Sequence, residues 1–226
     1  MLQPIEVKKR RKHAPDETRA QLLRASAKCF AAVGYGRTQV SDVTREAGVA
    51  VGTFYVHFTD KEEALLTVLK SHFDPARAGL ESLRTQLKAD GADLARSLRE
   101  VQKFLIQHSL QDRDGFLAWY RHGHDVSENA DRLVGAYSRQ LEQVFTEELA
   151  ESGLDNKTRP LLAQAVVSLI LGLVDRRLVH GDPKEEDALR ISLLVAMGGV
   201  MAGRADQAAS SSEINRLMQS ARALAA

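Results

Sequence analysis

What the chain lacks already narrows its class. Only one of its 226 residues is a cysteine and only five are prolines. One cysteine, Cys29, cannot form an intramolecular disulfide, and so few prolines do not provide the turn punctuation of an all-β fold. With 44% hydrophobic and 27% charged residues, the composition indicates a soluble, helix-rich globular protein of one or two domains.

The sequence shows neither a signal-peptide pattern in its first thirty residues nor an apolar run long enough to predict a membrane span. No apolar stretch follows the basic run in the first thirty residues, so we expect no signal peptide. The most apolar run, residues 161–174, is interrupted by Gln164 and Ser168. It is shorter than the roughly 20 residues that a membrane span needs. We therefore expect a protein of the reducing cytoplasm with no membrane partner.

Charge is unevenly distributed, although the net charge is only +1. Residues 1–73 hold 12 Lys+Arg against 8 Asp+Glu, whereas the remainder holds 19 against 22. Residues 1–14 carry the run Lys8–Lys12 with almost nothing apolar, which predicts a flexible basic arm. Within this run, Arg10 and Arg11 are candidate contacts to a DNA groove, and a solvated tail is an equal alternative.

Apolar residues recur at the three-to-four residue spacing of amphipathic helices, which predicts an all-α fold. At Asp74–Pro75, proline predicts a helix interruption. We place there the hinge between a head, residues 15–73, and a larger body, residues 74–226. Helices are predicted near 16–33, 40–47, 51–58, 60–73, 76–88, 93–109, 113–124, 129–152, 159–180, 184–203 and 212–224.

Residues 40–58 have the pattern of a helix-turn-helix motif. Gly48 permits the backbone geometry of the tight turn, and the small Ala47 beside it lets the two helices approach closely. Val43 and Val49 are expected to be buried between the helices. The side chains left on or near the outer surface, where a DNA groove is reached, are Thr53, Tyr55 and His57.

One string of residues is shared with a known family. It consists of Phe30, Gly34, Tyr35, Thr38, Val40, Ala47, Gly48, Val49, Gly52, Thr53, Phe54, Tyr55, His57, Phe58, Lys61, Glu62 and Leu65. With this string, residues 30–66 resemble the DNA-binding domain of the TetR family of bacterial transcriptional repressors, far more specifically than a generic helix-turn-helix does. The resemblance implies an all-helical homodimer that binds palindromic DNA. Each subunit would have a three-helix DNA-binding head and a larger body for effector binding and dimerisation.

The resemblance also assigns DNA contacts position by position. It makes Thr38 a phosphate contact where the second helix starts and Lys61 a phosphate clamp where the fourth begins. Gln39 stands where the family usually has Ser or Thr, and its amide can itself bond a phosphate or a base. Ala50 and Val51 begin the recognition helix with methyl groups and no charge, which favours thymine methyls over guanine. The remaining recognition-helix contacts are Thr53, Tyr55 and His57.

An aromatic-rich region of the body is the candidate effector site. Rings with polar tips are typical of ligand cavities, and this region lies where the family's effector pocket is expected. Ordinary core packing with surface histidines is the alternative. His122 and His124 do not indicate a metal site, because residues two apart point to different sides of a helix; we expect no metal or other cofactor. The candidate residues are His108, Phe116, Trp119, Tyr120, His124 and Tyr137.

The last long helices contain small residues that favour close packing. Two mid-helix glycines, Gly198 and Gly199, cost roughly 1 kcal/mol each relative to alanine, and close helix approach would offset that cost. Because the family dimerises through its last two long helices, we predict a four-helix interface across a two-fold axis. Small-residue packing within one subunit is the alternative. The predicted interface residues are Leu169, Leu173, Leu194, Gly198 and Gly199.

Taken with the resemblance, these patterns predict a homodimeric, ligand-responsive repressor of a double-stranded palindromic operator. A small, largely apolar effector would release it from DNA. The alternative is a constitutive DNA-binding protein whose body docks a protein partner and binds no ligand. An enzyme is not expected, because the sequence shows no Gly-rich phosphate loop, nucleophile elbow or metal-ligand set.

Overall fold

A computed structural model describes residues 15–122 and 126–208, and over these ranges the chain is helical and has no strand. The predicted all-α class is confirmed. The basic arm and the helix predicted at 212–224 lie outside the described residues. The helices are α1 Pro15–Val33, α2 Val40–Ala47, α3 Val51–His57, α4 Lys61–Ala89, α5 Leu94–Gln111, α6 Arg113–Tyr120, α7 Glu128–Glu148, α8 Thr158–His180 and α9 Glu185–Ala208, with a short 3-10 helix at Ala150–Ser152.

The head, formed by α1 to α3, has its own small apolar core. The helix α1 ends where Gly34 adopts a φ of 83°, a conformation that side chains resist. The amide of Gly34 donates to the Phe30 carbonyl at 2.9 Å and so closes the last turn of the helix. The first turn of α4 completes this core. Its fully buried members are Leu22, Ala25, Val43, Phe54, Phe58 and Ala64.

The helix α4 links the head to the body without a break. It begins at the N-cap Asp60, whose carboxylate accepts a hydrogen bond from the Glu63 amide at 2.8 Å. The predicted interruption at Asp74–Pro75 is wrong, because Pro75 lies inside the continuous helix. Proline removes one helical hydrogen bond. Burial of Phe73 and Ala76 on either side of it compensates, since both pack into the body's core.

The body packs α5 to α9 against the distal part of α4. Ion pairs tie its elements together at the surface. Arg84 on α4 donates to Glu147 and Glu148 at the end of α7, each at 2.6 Å. Arg121, just after α6, donates to both carboxylate oxygens of Asp175 on α8, at 2.5 and 3.0 Å. These bidentate and paired contacts fix α4 to α7 and α6 to α8.

One face of α8 and α9 is apolar and uncovered. In α9, Ile191, Leu194, Val195 and Met201 are exposed, at a spacing that places them along one side of the helix. The segment Glu185–Ala205 is long and apolar enough by composition to cross a membrane, with a hydropathy of 1.4, yet only 22% of it is buried. A single such helix is weak evidence for a membrane.

Candidate nucleic-acid interface and effector site

The turn between α2 and α3 has the geometry that the sequence predicts. Gly48 adopts a φ of 68°, and its amide donates to the Arg45 carbonyl at 3.1 Å. The Val49 amide then donates to the Thr44 carbonyl at 2.9 Å, so the orphan carbonyls at the end of α2 are satisfied. Val43 is fully buried and Val49 is partly buried against the head's core. The turn thereby holds α3 on the outside of the head.

The helix α3 presents most of its side chains to solvent. Phe54 is fully buried and anchors the helix to the head. Val51 is 47% exposed, Tyr55 57% and Val56 77%. The predicted contacts Ala50, Val51 and Tyr55 are thus accessible, whereas Thr53 and His57 are half-buried at the edge of this face. The sequence analysis did not include Val56 among the DNA contacts. The available signal was its position two residues after Phe54, which places it on the opposite side of the helix from that buried ring.

Thr38 has a structural role that the sequence did not reveal. Its side chain is buried, and its hydroxyl donates to the Gly34 carbonyl at 2.8 Å. A phosphate oxygen only accepts hydrogen bonds, and the single hydroxyl donor of Thr38 is already used. The phosphate contact of Thr38 stays a prediction, and it would require this hydroxyl to turn away from the Gly34 carbonyl. Gln39, by contrast, is exposed as the N-cap residue of α2.

Lys61 is turned inward rather than toward solvent. Its ammonium donates to the carbonyls of Tyr35 and Thr38, both at 2.8 Å, and lies 4.1 Å from the centre of the Tyr35 ring. Partial burial lowers the pKa of this ammonium. The contacts join the start of α4 to the segment between α1 and α2. The predicted phosphate clamp requires the third N–H of Lys61 or its release from these carbonyls.

The structure brings the predicted effector residues together as one aromatic cluster. Its centre is Trp119, whose ring lies 5.6 Å from those of Phe116 and Tyr137 and 5.7 Å from that of Tyr120. Burial raises the pKa of the Tyr137 phenol. The rings pack directly against one another, and Tyr137 also borders a cleft of about 230 Å³ between α4 and α7. The predicted members that the structure describes are His108, Phe116, Trp119, Tyr120 and Tyr137.

Two residues that the sequence did not single out complete this cluster. His72, on α4, is buried, and its Nδ1 lies 2.7 Å from a carboxylate oxygen of Asp112, so it donates to that acceptor. Asp112 also caps α6 by accepting from the Gly115 amide. The available signals were the core spacing of His72 with Leu69 and Phe73 and the N-cap position of Asp112.

His108 connects the pair to α5. Its Nε2 lies 3.0 Å from the His72 carbonyl, which only accepts, so this nitrogen carries a proton. Burial, followed by the nearby His72, lowers the pKa of His108. For Asp112, burial raises the pKa, but the hydrogen bond and the charge interaction with His72 lower it by more. The pKa of Asp112 therefore lies below its usual value. Charge at this cluster is thus coupled across α4, α5 and α6.

Trp119 has an unmet hydrogen-bonding requirement. Only 2% of the residue is exposed, and its Nε1 is buried without a partner in the described structure. A buried donor without an acceptor costs about 1–3 kcal/mol. Among the predicted effector residues that the structure describes, Trp119 is thus one with a buried polar group that no protein atom satisfies.

Of the predicted dimer residues, two are accessible to a partner and three are partly buried within their own subunit. Leu194 is 66% exposed, and a Cβ at Gly198 would meet open space. A Cβ at Gly199, however, would collide with Leu162 of the same chain, so the close packing there is within one subunit. This contact supports the alternative of small-residue packing within one subunit, and the interface role of Gly199 stays a prediction. Leu169 and Leu173 are half-buried, and Leu173 packs on its own core.

Three predicted residues are not described by the structure. Arg10 and Arg11 of the basic arm, together with His124 after α6, lie outside the described ranges. Within those ranges, no group of three or more His, Cys, Asp or Glu side chains is arranged to hold a metal ion.

The head matches a known family model. Residues 22–68 match the model described as bacterial regulatory proteins, tetR family. One curated relative is the HTH-type transcriptional activator FasR of Mycolicibacterium smegmatis. It is 27% identical over 188 residues, which are 82% of this chain and 84% of FasR.

Solved structures show the same fold over nearly their whole length. A TetR-like transcriptional regulator from Rhodococcus sp. RHA1 superposes with a TM-score of 0.69 at 18% identity, covering 81% of this chain and 96% of that one. The regulator FadR of Bacillus subtilis, solved in complex with stearoyl-CoA, gives a TM-score of 0.58 at 21% identity, covering 80% and 97%. At these identities the likeness concerns the fold alone.

Proposed function

Because this chain belongs to the TetR family of bacterial regulatory proteins, we propose that it represses transcription by binding a palindromic operator as a homodimer. The observation that carries the proposal is the outer face of α3. There Val51, Tyr55 and Val56 are exposed while Phe54 fixes the helix to the head. A helix held this way is suited to enter the major groove. A protein that acts on bacterial DNA works in the cytoplasm.

Dimerisation is supported by the uncovered face of α8 and α9. Leu161 on α8 and Leu194 on α9 are 65% and 66% exposed, which is unfavourable for a solvated monomer. Gly198 leaves open space on the same side of α9. A second copy that packs there would bury this face and give the two heads the two-fold symmetry of a palindrome.

The aromatic cluster supports a small, largely apolar effector. Its rings pack against one another, so we place the entry of an effector at the cleft of about 230 Å³ that Tyr137 borders. The unpartnered Nε1 of Trp119 would offer it one hydrogen bond to an acceptor such as a carbonyl. Since the similarly folded FadR was solved with stearoyl-CoA, long-chain acyl thioesters are the first compounds to try. His72 belongs to α4, the helix that begins at the head, and therefore links the cluster to the head. Effector and DNA would therefore oppose each other reciprocally.

The DNA part is tested by selection from a random duplex library with the full chain. We expect a symmetric site whose half-sites are centred about one helical turn, roughly 10 base pairs, apart. Tyr55→Ala should weaken binding to this duplex, while Tyr35→Phe, on the inner side of the head, is the matched aromatic control. A selection that yields no bound sequence would refute DNA binding.

The effector part is tested with stearoyl-CoA and a shorter acyl-CoA as probes. Binding should change the fluorescence of Trp119, the chain's single tryptophan, and should weaken binding to the selected duplex by the same factor by which DNA weakens ligand binding. If no probe, nor a wider set of apolar carboxylates, changes either signal, the constitutive protein that docks a partner through its body becomes the better description.

A further inference from the structure

The geometry of α3 gives Val56 a position that its neighbours do not share. Successive residues of an α-helix are about 100° apart, so Gly52 and Val56 both lie nearly opposite the buried Phe54. Val56 is 77% exposed and is the most exposed large apolar side chain in the described structure. A Cβ at Gly52 would meet nothing within 4 Å. On the side of α3 that points away from the head, Val56 is therefore the only side chain, because Gly52, one turn earlier, has none.

The chemistry of α3 excludes the commonest ways of reading a base. Guanine is read best by Arg or Lys and adenine by Asn or Gln, through paired hydrogen bonds. The helix, with the sequence Val-Gly-Thr-Phe-Tyr-Val-His, contains none of these four residue types. Its two most polar small groups, Thr53 and His57, sit at the half-buried edge of the face. Apart from the hydroxyl of Tyr55, what the exposed positions of α3 offer a groove is apolar surface.

One group on the major-groove edge of DNA matches apolar surface. Thymine alone of the four bases carries a methyl group there. Contact between a valine and this methyl removes both from water, whereas the same valine against a guanine or cytosine edge covers polar atoms that need partners. Val51, at 47% exposed, lies at the other end of the exposed arc, about 140° around the helix from Val56 with Tyr55 between them. It provides a second apolar contact one turn before Tyr55.

We propose that α3 recognises its operator through thymine methyl groups, with Val56 as the central specificity-determining residue and Val51 as the second. The proposal rests on the DNA binding proposed above and deepens it by naming the chemistry of the half-site. Each half-site then carries thymines at the positions that face these two valines. In the complex, DNA would cover these exposed valines.

The test uses the duplex selected from the random library and replaces its thymines with deoxyuracil, one symmetric pair at a time. Deoxyuracil pairs as thymine does but lacks the methyl group. At a contacted position, affinity for the wild-type chain should fall about fourfold per methyl removed, the factor expected for one buried methyl-sized group. At thymines outside the half-sites it should not change.

Variants assign each methyl to a side chain. Val56→Ala should bind the thymine duplex more weakly and should no longer distinguish thymine from deoxyuracil at one position, and Val51→Ala should do the same at another. Both residues are exposed, so alanine leaves the fold intact, which thermal unfolding checks. Val33→Ala truncates an exposed valine at the end of α1 and should behave as wild type.

The outcomes separate this inference from the function on which it rests. A bound duplex whose affinity is the same with thymine and deoxyuracil at every half-site position overturns methyl recognition and leaves DNA binding intact. A thymine effect that persists in both Val56→Ala and Val51→Ala overturns the assignment to these residues. No bound duplex at all overturns the proposed function and this inference with it.

Discussion

At the scale of single residues, Lys61 has two roles that one variant can test. The structure shows its hydrogen bonds to two backbone carbonyls, and the family resemblance predicts a contact with a DNA phosphate. We expect Lys61→Met to keep the apolar stem but to leave the carbonyls of Tyr35 and Thr38 without their donor. The free energy of unfolding should then decrease by about 1–2 kcal/mol. Chemical denaturation measures it.

A phosphate clamp would give a second result for the same variant. If Lys61 also clamps a phosphate, the slope of log affinity against log salt would become shallower by about 0.9 for each lost phosphate contact in each subunit, in addition to any loss of stability. Lys70→Met, on the exposed side of α4, controls for the loss of one positive charge. An unchanged denaturation curve for Lys61→Met would show that the two carbonyl contacts contribute little.

His108 predicts a pH dependence of stability. Burial and His72 lower the pKa of His108 in the folded protein, so the unfolded chain binds the proton more readily. The stabilising contribution is then present above the unfolded pKa of about 6.5 and is lost as the pH falls below it. His108→Gln, which keeps a donor for the His72 carbonyl, should flatten the decrease in melting temperature between about pH 7 and pH 5.

The comparison that checks this is a pair of melting curves across that range. His180→Gln is the matched control, because His180 is exposed at the end of α8. If His108→Gln and the wild type lose stability in parallel, the titration of His108 does not contribute to the pH dependence.

For the predicted DNA contacts, the sequence indicated which side chains of α3 are exposed. It did not indicate which polar side chains already form hydrogen bonds within the protein. Tyr55 and Val51 follow from helical spacing around Phe54. The inward bonds of Lys61 do not, because its acceptors lie 26 and 23 positions away in the chain. The bond of Thr38 is local, but it depends on the turn that the chain makes after Gly34. His72 escaped notice for the same reason as Lys61, since its partner Asp112 lies forty positions away in the chain.

At the scale of secondary-structure elements, α4 is the place where local rules failed. Proline in a helix interior is about 3 kcal/mol less favourable than alanine, and a break at Pro75 was the reasonable expectation. Pro75→Ala should restore a helical hydrogen bond and raise the free energy of unfolding by about 1–2 kcal/mol, part of the gain being offset by a more flexible unfolded chain. Denaturation in urea measures the change.

A decrease in stability for Pro75→Ala would contradict that expectation. Because Pro75 is exposed, it would mean that the greater flexibility of the unfolded alanine chain outweighs the restored hydrogen bond. For some other helix boundaries, the local sequence was sufficient to predict where the helix ends. The bounds of α2 agree with those predicted, because Gly48 ends it unambiguously. The helix α6 ends at Tyr120, earlier than predicted, since the end of α6 carries no such punctuation.

At the scale of the whole molecule, the proposal that the exposed face of α8 and α9 forms the dimer interface is directly testable. In the proposed dimer, Leu194→Glu places a charge in a buried apolar surface, which is strongly unfavourable without a partner. We expect this variant to sediment as a monomer at concentrations where the wild type is dimeric. Analytical ultracentrifugation distinguishes the two.

Val33→Glu adds the same charge at an exposed position outside that face and should remain dimeric. A Leu194→Glu chain that stays fully dimeric would move the interface elsewhere. Gly199→Leu is unsuitable for this purpose, because its side chain would meet Leu162 of its own subunit and destabilise each copy separately.

The unbroken course of α4 has a mechanical consequence. A helix of 29 residues at about 1.5 Å per residue is a rod of about 43 Å. Tilting such a rod by about 5° about its far end displaces its near end by about 4 Å, and opposite tilts in two subunits change the head separation by about 8 Å. Successive major grooves recur about every 34 Å. A rotation of a few degrees within the body thus becomes, at the DNA, a mismatch of about a quarter of a helical turn.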